Sequence, residues 1–281
     1  MQNSIHPKAN RRVLLYSGED PKRLSTTMFY MNLFWRLITL GRERGIEMVP
    51  FIDTRPIDQR VIRPPELENT LEEMHLDGVI GILFYYSMTA WMTEAKLPFS
   101  GMFSGPGSDK GHVQLDMLGM VSTALRRFSE LGCHSVGIMY PSNAQQTSVL
   151  EFAEREAKAL NLELKYEWML FSRQSREITG YNYFSSLWNL KEKPDGLLIY
   201  PDETARGVVS AIVEKKIRVP EELKLVIHRN AESPFFVPFC CDFIENSVNP
   251  LAQALFEDLE NLWAGRPQKL ISVPFNLVKG S

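Results

Sequence analysis

A chain of 281 residues, 44% apolar and 23% charged, has material for one large or two medium globular domains with a sizeable core. Its formal net charge of −3 gives the chain as a whole no electrostatic grip on nucleic acid. No apolar run approaches the ~18 residues of a membrane span, and the polar, basic start MQNSIHPKANRR lacks the apolar stretch of a secretory signal. Cys133, Cys240 and Cys241 have no metal-binding spacing; read as buried free thiols, they suit a reducing, cytoplasmic setting.

Residues 1–11 read as a tail or linker. Val13 to Tyr16 is a short buried strand, and a helix follows from about Thr26 to Arg44, closed by Gly45. That helix carries Met28, Phe29, Tyr30, Met31, Leu33, Phe34, Trp35, Leu37, Ile38 and Leu40, more than one apolar face. It is either buried between layers or meets another subunit. Glu47 to Ile52 is a strand, Pro65 to His75 a helix, Val79 to Phe84 a strand, Thr89 to Ala95 a short helix and Phe99 to Phe103 a strand. The loop SGPGSDKG lacks the Gly-Lys-Ser/Thr ending of a phosphate loop and does not open a helix. Asp116 caps a helix from Met117 to Leu131, ended by Gly132. Then come strand Val136–Tyr140, helix Gln146–Leu160, strand Leu162–Trp168 and a polar helix around Tyr181–Leu190.

Lys193 to Asn230 is the clearest βαβ unit. Gly196 to Tyr200 is a strand buried on both faces, and Asp202, Glu203 and Thr204 offer cap chemistry to the next helix. Ala205, Val208, Val209 and Ile212 form its apolar stripe, and Leu223 to Ile227 is the second strand. Asp202-Glu203 and His228-Arg229-Asn230 are therefore expected in loops at one crevice edge. Pro250 to Trp263 is helical, and Leu270 to Val278 is extended.

The order repeats: strand, helix, strand, helix, Asp-Gly, strand, over roughly sixty residues each time, with Asp77-Gly78 and Asp195-Gly196 as markers. Two similar three-layer α/β lobes with parallel sheets follow, their polar strand ends converging on a cleft.

These pieces resemble the effector-binding core of the lactose/galactose-repressor (LacI/GalR) family of bacterial transcription regulators. The likeness rests on an ordered series: Asp77-Gly78-Val79-Ile80, Leu97-Pro98, Val113 with Asp116, and Leu131-Gly132-Cys133-His134-Ser135-Val136-Gly137. It continues through Pro194-Asp195-Gly196, Asp202-Glu203-Thr204-Ala205-Arg206-Gly207, Val219-Pro220-Glu221-Glu222-Leu223 and Val273-Pro274 to Leu277-Val278-Lys279-Gly280-Ser281. The resemblance implies a periplasmic-binding-protein-like type I fold, with lobes at 12–115 plus 247–269 and 116–246 plus 270–281. It implies a small-molecule effector in the cleft, a sugar or sugar acid, a homodimer, and DNA control through an N-terminal head absent from this chain, of helix-turn-helix or winged-helix kind. Ligand closure of the lobes would then be linked to DNA binding.

Phe29 and Tyr30 stand where the family has an aromatic pair against ligand rings; core packing is the alternative. Asp202 matches the family's cleft-facing acid and equally reads as a helix cap. Where the family has Gly-Phe-Asp-Asp this chain has Ile227-His228-Arg229-Asn230, and its Arg-x-x-Gly-Phe is replaced by Ser148-Val149-Leu150-Glu151-Phe152. Arg229 donates hydrogen bonds where an aspartate accepts them, which suggests a sugar acid anchored on it; pairing with Asp202 or Glu203 is the alternative. Loop position adds Tyr86, Phe103, Asn143, Arg173 and Arg176.

No enzyme constellation assembles. His6, His75, His112, His134 and His228 share no metal-ligand spacing, there is no G-x-S-x-G elbow, and no catalytic residue, metal or cofactor is expected. The rival reading is an extracytoplasmic solute-binding receptor for a sugar-like ligand, which the absence of a signal peptide disfavours.

Overall fold

The computed structural model describes residues 11–18, 28–56, 59–60, 62–68, 74–104, 112–141, 146–172 and 176–280. They form two compact units. The first takes its described residues from those up to 18, 30–114 and 248–271, the second from 28–29, 115–247 and 272–280.

In the first unit, strands β1 (Arg12–Ser17), β2 (Glu47–Ile52), β3 (Gly78–Tyr85) and β4 (Phe99–Ser104) form a parallel sheet in the order β2-β1-β3-β4. The run Val13 to Tyr16 is wholly buried because helices cover both faces of a parallel sheet. On one face Leu14, Tyr16, Val79 and Phe84 pack with Leu67, Met88 and Met92, the last from helix α2 (Thr89–Glu94). Helix α1 (Met28–Glu43), from Tyr30 onward, and helix α7 (Val248–Trp263) also belong here. They are joined where Arg44 meets Glu260 at 2.7 Å and lies over the Phe256 ring at 5.0 Å. Gly45 ends α1 in the left-handed region, φ +68°, as expected of that residue.

The apolar excess of α1 divides. Phe29, Leu33, Phe34, Leu37 and Leu40 are buried, whereas Trp35 remains 59% exposed. Of the expected 65–75 helix, residues 65–68 are helical, 69–73 lie outside the described residues, and 74–77 are not helical.

The second unit holds β6 (Ser135–Pro141), β7 (Glu163–Ser172), β8 (Gly196–Ile199), β9 (Lys224–Asn230), β10 (Asp242–Asn246) and β12 (Asn276–Val278), in the order β12-β10-β9-β8-β6-β7. All pairings are parallel except β10–β12, so the sheet is mostly parallel with one antiparallel edge strand. Helices α3 (Met117–Glu130) and α4 (Gln146–Ala159) cover one face, where Val121, Leu125, Phe128, Val149 and Ala153 meet Leu198, Val226 and Ile244. Helices α5 (Glu177–Trp188) and α6 (Asp202–Glu214) cover the other, where Phe184, Leu187, Val208 and Ile212 meet Leu197, Leu225 and Ile227. Alternate strand residues serve opposite faces, as the pleat dictates.

Asp116 caps α3 as expected, accepting the Gly119 N–H at 2.9 Å. Between α5 and α6 the backbones nearly touch. A Cβ on Gly180 would run into the Thr204 carbonyl, and one on Gly207 into that of Glu177. Glycine is required at that crossing.

Two short strands, β5 (Val113–Leu115) and β11 (Ile271–Val273), pair where the chain passes between units. Several expected boundaries shift. Helix α5 begins at Glu177, before Tyr181; β7 runs on to Ser172; and β9 continues to Asn230, so His228, Arg229 and Asn230 belong to a strand and not to a loop.

Candidate functional site

The carboxyl ends of β8, β9 and β10 bring four polar side chains together inside the second unit: Asp202, His228, Asn230 and Asn246, all buried. Strand periodicity selects them. His228 and Asn230 are two apart on β9 and share one face, while the β9–β10 register sets Asn230 beside Asn246. Asp202 arrives from the first turn of α6, after Pro201. The Asp202 N–H donates to His228 Nδ1 at 3.1 Å, so the ring proton sits on Nε2 and is donated to Asn246 Oδ1 at 2.9 Å. Burial pushes His228 down to about 4, and the ring is neutral at pH 7. Asn230 Nδ2 donates to Asp202 Oδ2 at 3.0 Å. Asp202 Oδ1 is buried and has no hydrogen-bond partner among the described residues. Burial raises the Asp202 pKa, against the lowering effects of Arg206, Asn230 and the backbone N–H groups of Glu203 and Asp202. A carboxylate oxygen left this way accepts a donor from outside the chain at little further desolvation cost.

Aromatic rings flank the group. Tyr200 meets His228 edge-on at 4.6 Å and stacks on Tyr140 at 5.5 Å, and Phe275 lies 5.9 Å from His228. Aromatic faces beside a few buried polar groups are the usual composition of a small-molecule site.

Two expectations about this edge need correction. Asp202 does not cap its helix: the cap position is Pro201, with no side-chain cap bond, and the Asp202 carboxylate faces Asn230 instead. Arg229 is neither poised for a ligand nor paired with Asp202 or Glu203. Its Nε donates to Glu245, its register partner on β10, and its guanidinium lies 3.8 Å over the Phe243 ring. The reason is the pleat: Arg229 falls between His228 and Asn230 and so points to the α5/α6 face.

The first unit has its own edge at the ends of β1 and β2. Tyr16 donates to Asp53 at 2.7 Å, and Arg55 holds the same carboxylate with two bonds of 2.9 and 2.7 Å. Burial would raise Asp53, but these bonds outweigh it and keep its pKa below the ordinary value; burial and the same carboxylate push Tyr16 upward. Arg60 is buried and donates to the carbonyls of Arg55 and Gly18. Tyr86 and Phe103 contact each other at 5.8 Å, with Tyr86 exposed.

The other expected ligand residues scatter. Phe29 is buried and Tyr30 partly exposed in the first turn of α1; Arg176 is exposed just before α5; Asn143 and Arg173 lie outside the described residues. His228, Asn230, Asn246, Tyr140, Tyr200 and Phe275 were missed as ligand candidates. For His228 and Asn230 the signal was present: a strand three residues longer would have set both on one face, at the crevice edge they share with Asp202. Among the described residues no group of three His, Cys, Asp or Glu side chains could hold a metal ion, and no helix is long and apolar enough to cross a membrane.

A family profile described as a periplasmic binding protein-like domain matches residues 125–239. A regulatory protein of the LacI family from Chloroflexus aggregans superposes with a TM-score of 0.77 at 14% identity, covering 96% of this chain and 98% of that one. The fold is therefore periplasmic-binding-protein-like, type I, with two α/β lobes. In sequence, the HTH-type transcriptional repressor PurR of Haemophilus influenzae (strain PittEE) is 23% identical over 184 residues, 62% of this chain and 54% of that protein. PurR of Mannheimia succiniciproducens is 35% identical over 79 residues, 28% of this chain and 23% of that protein. The chain thus spans about half or less of the curated relatives it matches. Together these likenesses bear out the resemblance to the effector-binding domain of the LacI/GalR regulators.

Proposed function

We propose that this chain is the effector-binding part of a bacterial transcriptional regulator, and that a small neutral molecule rich in hydrogen-bond donors, of the sugar class, is its effector. The observation that carries the reading is the buried, unpartnered Asp202 Oδ1 among tyrosine and phenylalanine rings at the carboxyl edge of the second sheet. An acceptor-only carboxylate selects an O–H or N–H. The engagement of Arg229 with Glu245 and Phe243 removes the support for an acid anchored there. No group in the edge is set for catalysis, and the relatives named above are repressors. Control of DNA would run through a separate helix-turn-helix or winged-helix head, in the cytoplasm, with effector and DNA binding reciprocally coupled. The exposed Trp35 on α1 supports a homodimer formed partly through that helix.

Isothermal titration of neutral sugars and their acid counterparts tests the ligand. The expected result is binding of a neutral sugar, weakened at least about ten-fold by Asp202→Ala and within about two-fold of the parent for Arg229→Ala. Binding restricted to the acid forms and abolished by Arg229→Ala would overturn the reading.

A further inference from the structure

The six-stranded sheet of the second unit ends on β7, which among the described residues pairs only with β6. At ten residues it is the longest of the described strands, and its sequence ELKYEWMLFS is rich in aromatic and leucine side chains. A strand bonded on one side presents a row of outward N–H and carbonyl groups to any further strand. The same edge on every copy of the chain invites self-pairing, antiparallel about a two-fold axis.

The β6–β7 register breaks midway. Val136 faces Leu164 and Ile138 faces Met169, so two steps along β6 match five along β7. Three residues within Lys165–Trp168 are therefore surplus. An odd surplus reverses the phase of the pleat. Leu162 and Leu164 pack on the α3/α4 face, yet Trp168, four residues beyond Leu164, packs on the α5/α6 face with Phe184 and Leu187.

The surplus is pinned in place. Trp168 is buried, and its Nε1–H donates to the Glu192 carbonyl at 3.2 Å. Lys165 Nζ lies 4.7 Å over the Trp168 ring and pairs with Glu163 at 3.4 Å and with Glu192. Gly137, between the two register partners on β6, makes room for it: a Cβ there would stand 3.0 Å from the Trp168 carbonyl oxygen. Tyr166, 80% exposed, and Glu167 are left in solvent at the edge of the sheet.

We propose that this surplus is an edge guard, which keeps β7 from pairing with β7 of a second copy. It interrupts the outward row of peptide groups in the middle of the strand, so that neither half offers a long run. The register also implies that the fold does not need it. Without residues 165–167, Val136, Gly137 and Ile138 would face Leu164, Trp168 and Met169 in unbroken order. Leu164 and Trp168 would then take opposite faces by ordinary alternation, and these are the faces they already hold. The edge that remains, Glu-Leu-Trp-Met-Leu-Phe-Ser, has one charge and no proline, the composition of a self-pairing strand.

Deletion of residues 165–167 from the full chain is the test, read by sedimentation over about 1–100 µM and by amide exchange of Trp168 to Phe171. The variant is expected to keep the parent's far-UV spectrum and to associate beyond the parent's own mass as its concentration rises. Its Trp168 to Phe171 amides should be protected at least about ten-fold more at the top of that range than at the bottom, while those of the parent stay constant. A folded variant that keeps the parent's mass throughout overturns the proposal. Association without added protection of these amides overturns it too, because another surface is then responsible. Loss of the native spectrum also overturns it, since the surplus would then be a requirement of the fold and not a guard on its edge.

Discussion

Replacing His228 by glutamine isolates a single titration. In the unfolded chain the imidazole takes a proton near its ordinary 6.5; in the folded chain burial holds it to about 4. Between those values the unfolded state binds more protons, so stability is lost as the pH falls through the window, and the loss is complete below about 4. The gap, at 1.36 kcal/mol per pH unit, sets the total at about 3 kcal/mol, of which about 2.5 kcal/mol is reached by about pH 4.5. Glutamine loses the ring contacts with Tyr200 and Phe275, so the variant starts less stable at neutral pH. Its deficit should then shrink by about 2.5 kcal/mol between about pH 7.5 and about pH 4.5, because the carboxylates shared by both proteins cancel in the difference. Urea unfolding of parent and variant at four or five pH values measures it. A deficit constant across the range would refute the buried neutral ring.

Asp202→Asn works in the opposite sense. The raised pKa of Asp202 means that the folded chain binds more protons, so its charge destabilises above the unfolded carboxylate range, and removing it should raise the urea midpoint at neutral pH while weakening the effector. Gly207→Ala drives a methyl group into the Glu177 carbonyl across the α5/α6 crossing and should cost about 3 kcal/mol, read as a fall in Tm. Phe128→Ala empties a fully buried site beneath Gly196 on the α3/α4 face and should cost about 3–5 kcal/mol by denaturant unfolding.

Much of the fold was legible because its signals are local. Gly45 and Gly132 have positive φ and end their helices where expected, and Asp116 caps α3. Continuous apolar runs such as Val13 to Tyr16 and Leu197 to Ile199 are strands buried on both faces. The site was less legible because its membership depends on strand phase. Ending β9 at Ile227 made Arg229 a loop residue free to turn toward Asp202; extending it to Asn230 fixes Arg229 on the opposite face, beside Glu245. Glu245, Asn246 and Phe275 come from segments far away in sequence, and no spacing rule connects them to Asp202. The antiparallel β12 was hidden for the same reason: three extended residues near the end do not reveal which edge they join.

That last strand has a consequence for how the chain can be divided. β12 pairs with β10, yet the residues between them include the whole of α7, which belongs to the first unit. The first unit in turn owns residues on both sides of the second. No single cut therefore releases either sheet intact with its covering helices. Splicing residue 247 to residue 272 would keep the second sheet with its covering helices, and splicing 114 to 248 would do the same for the first.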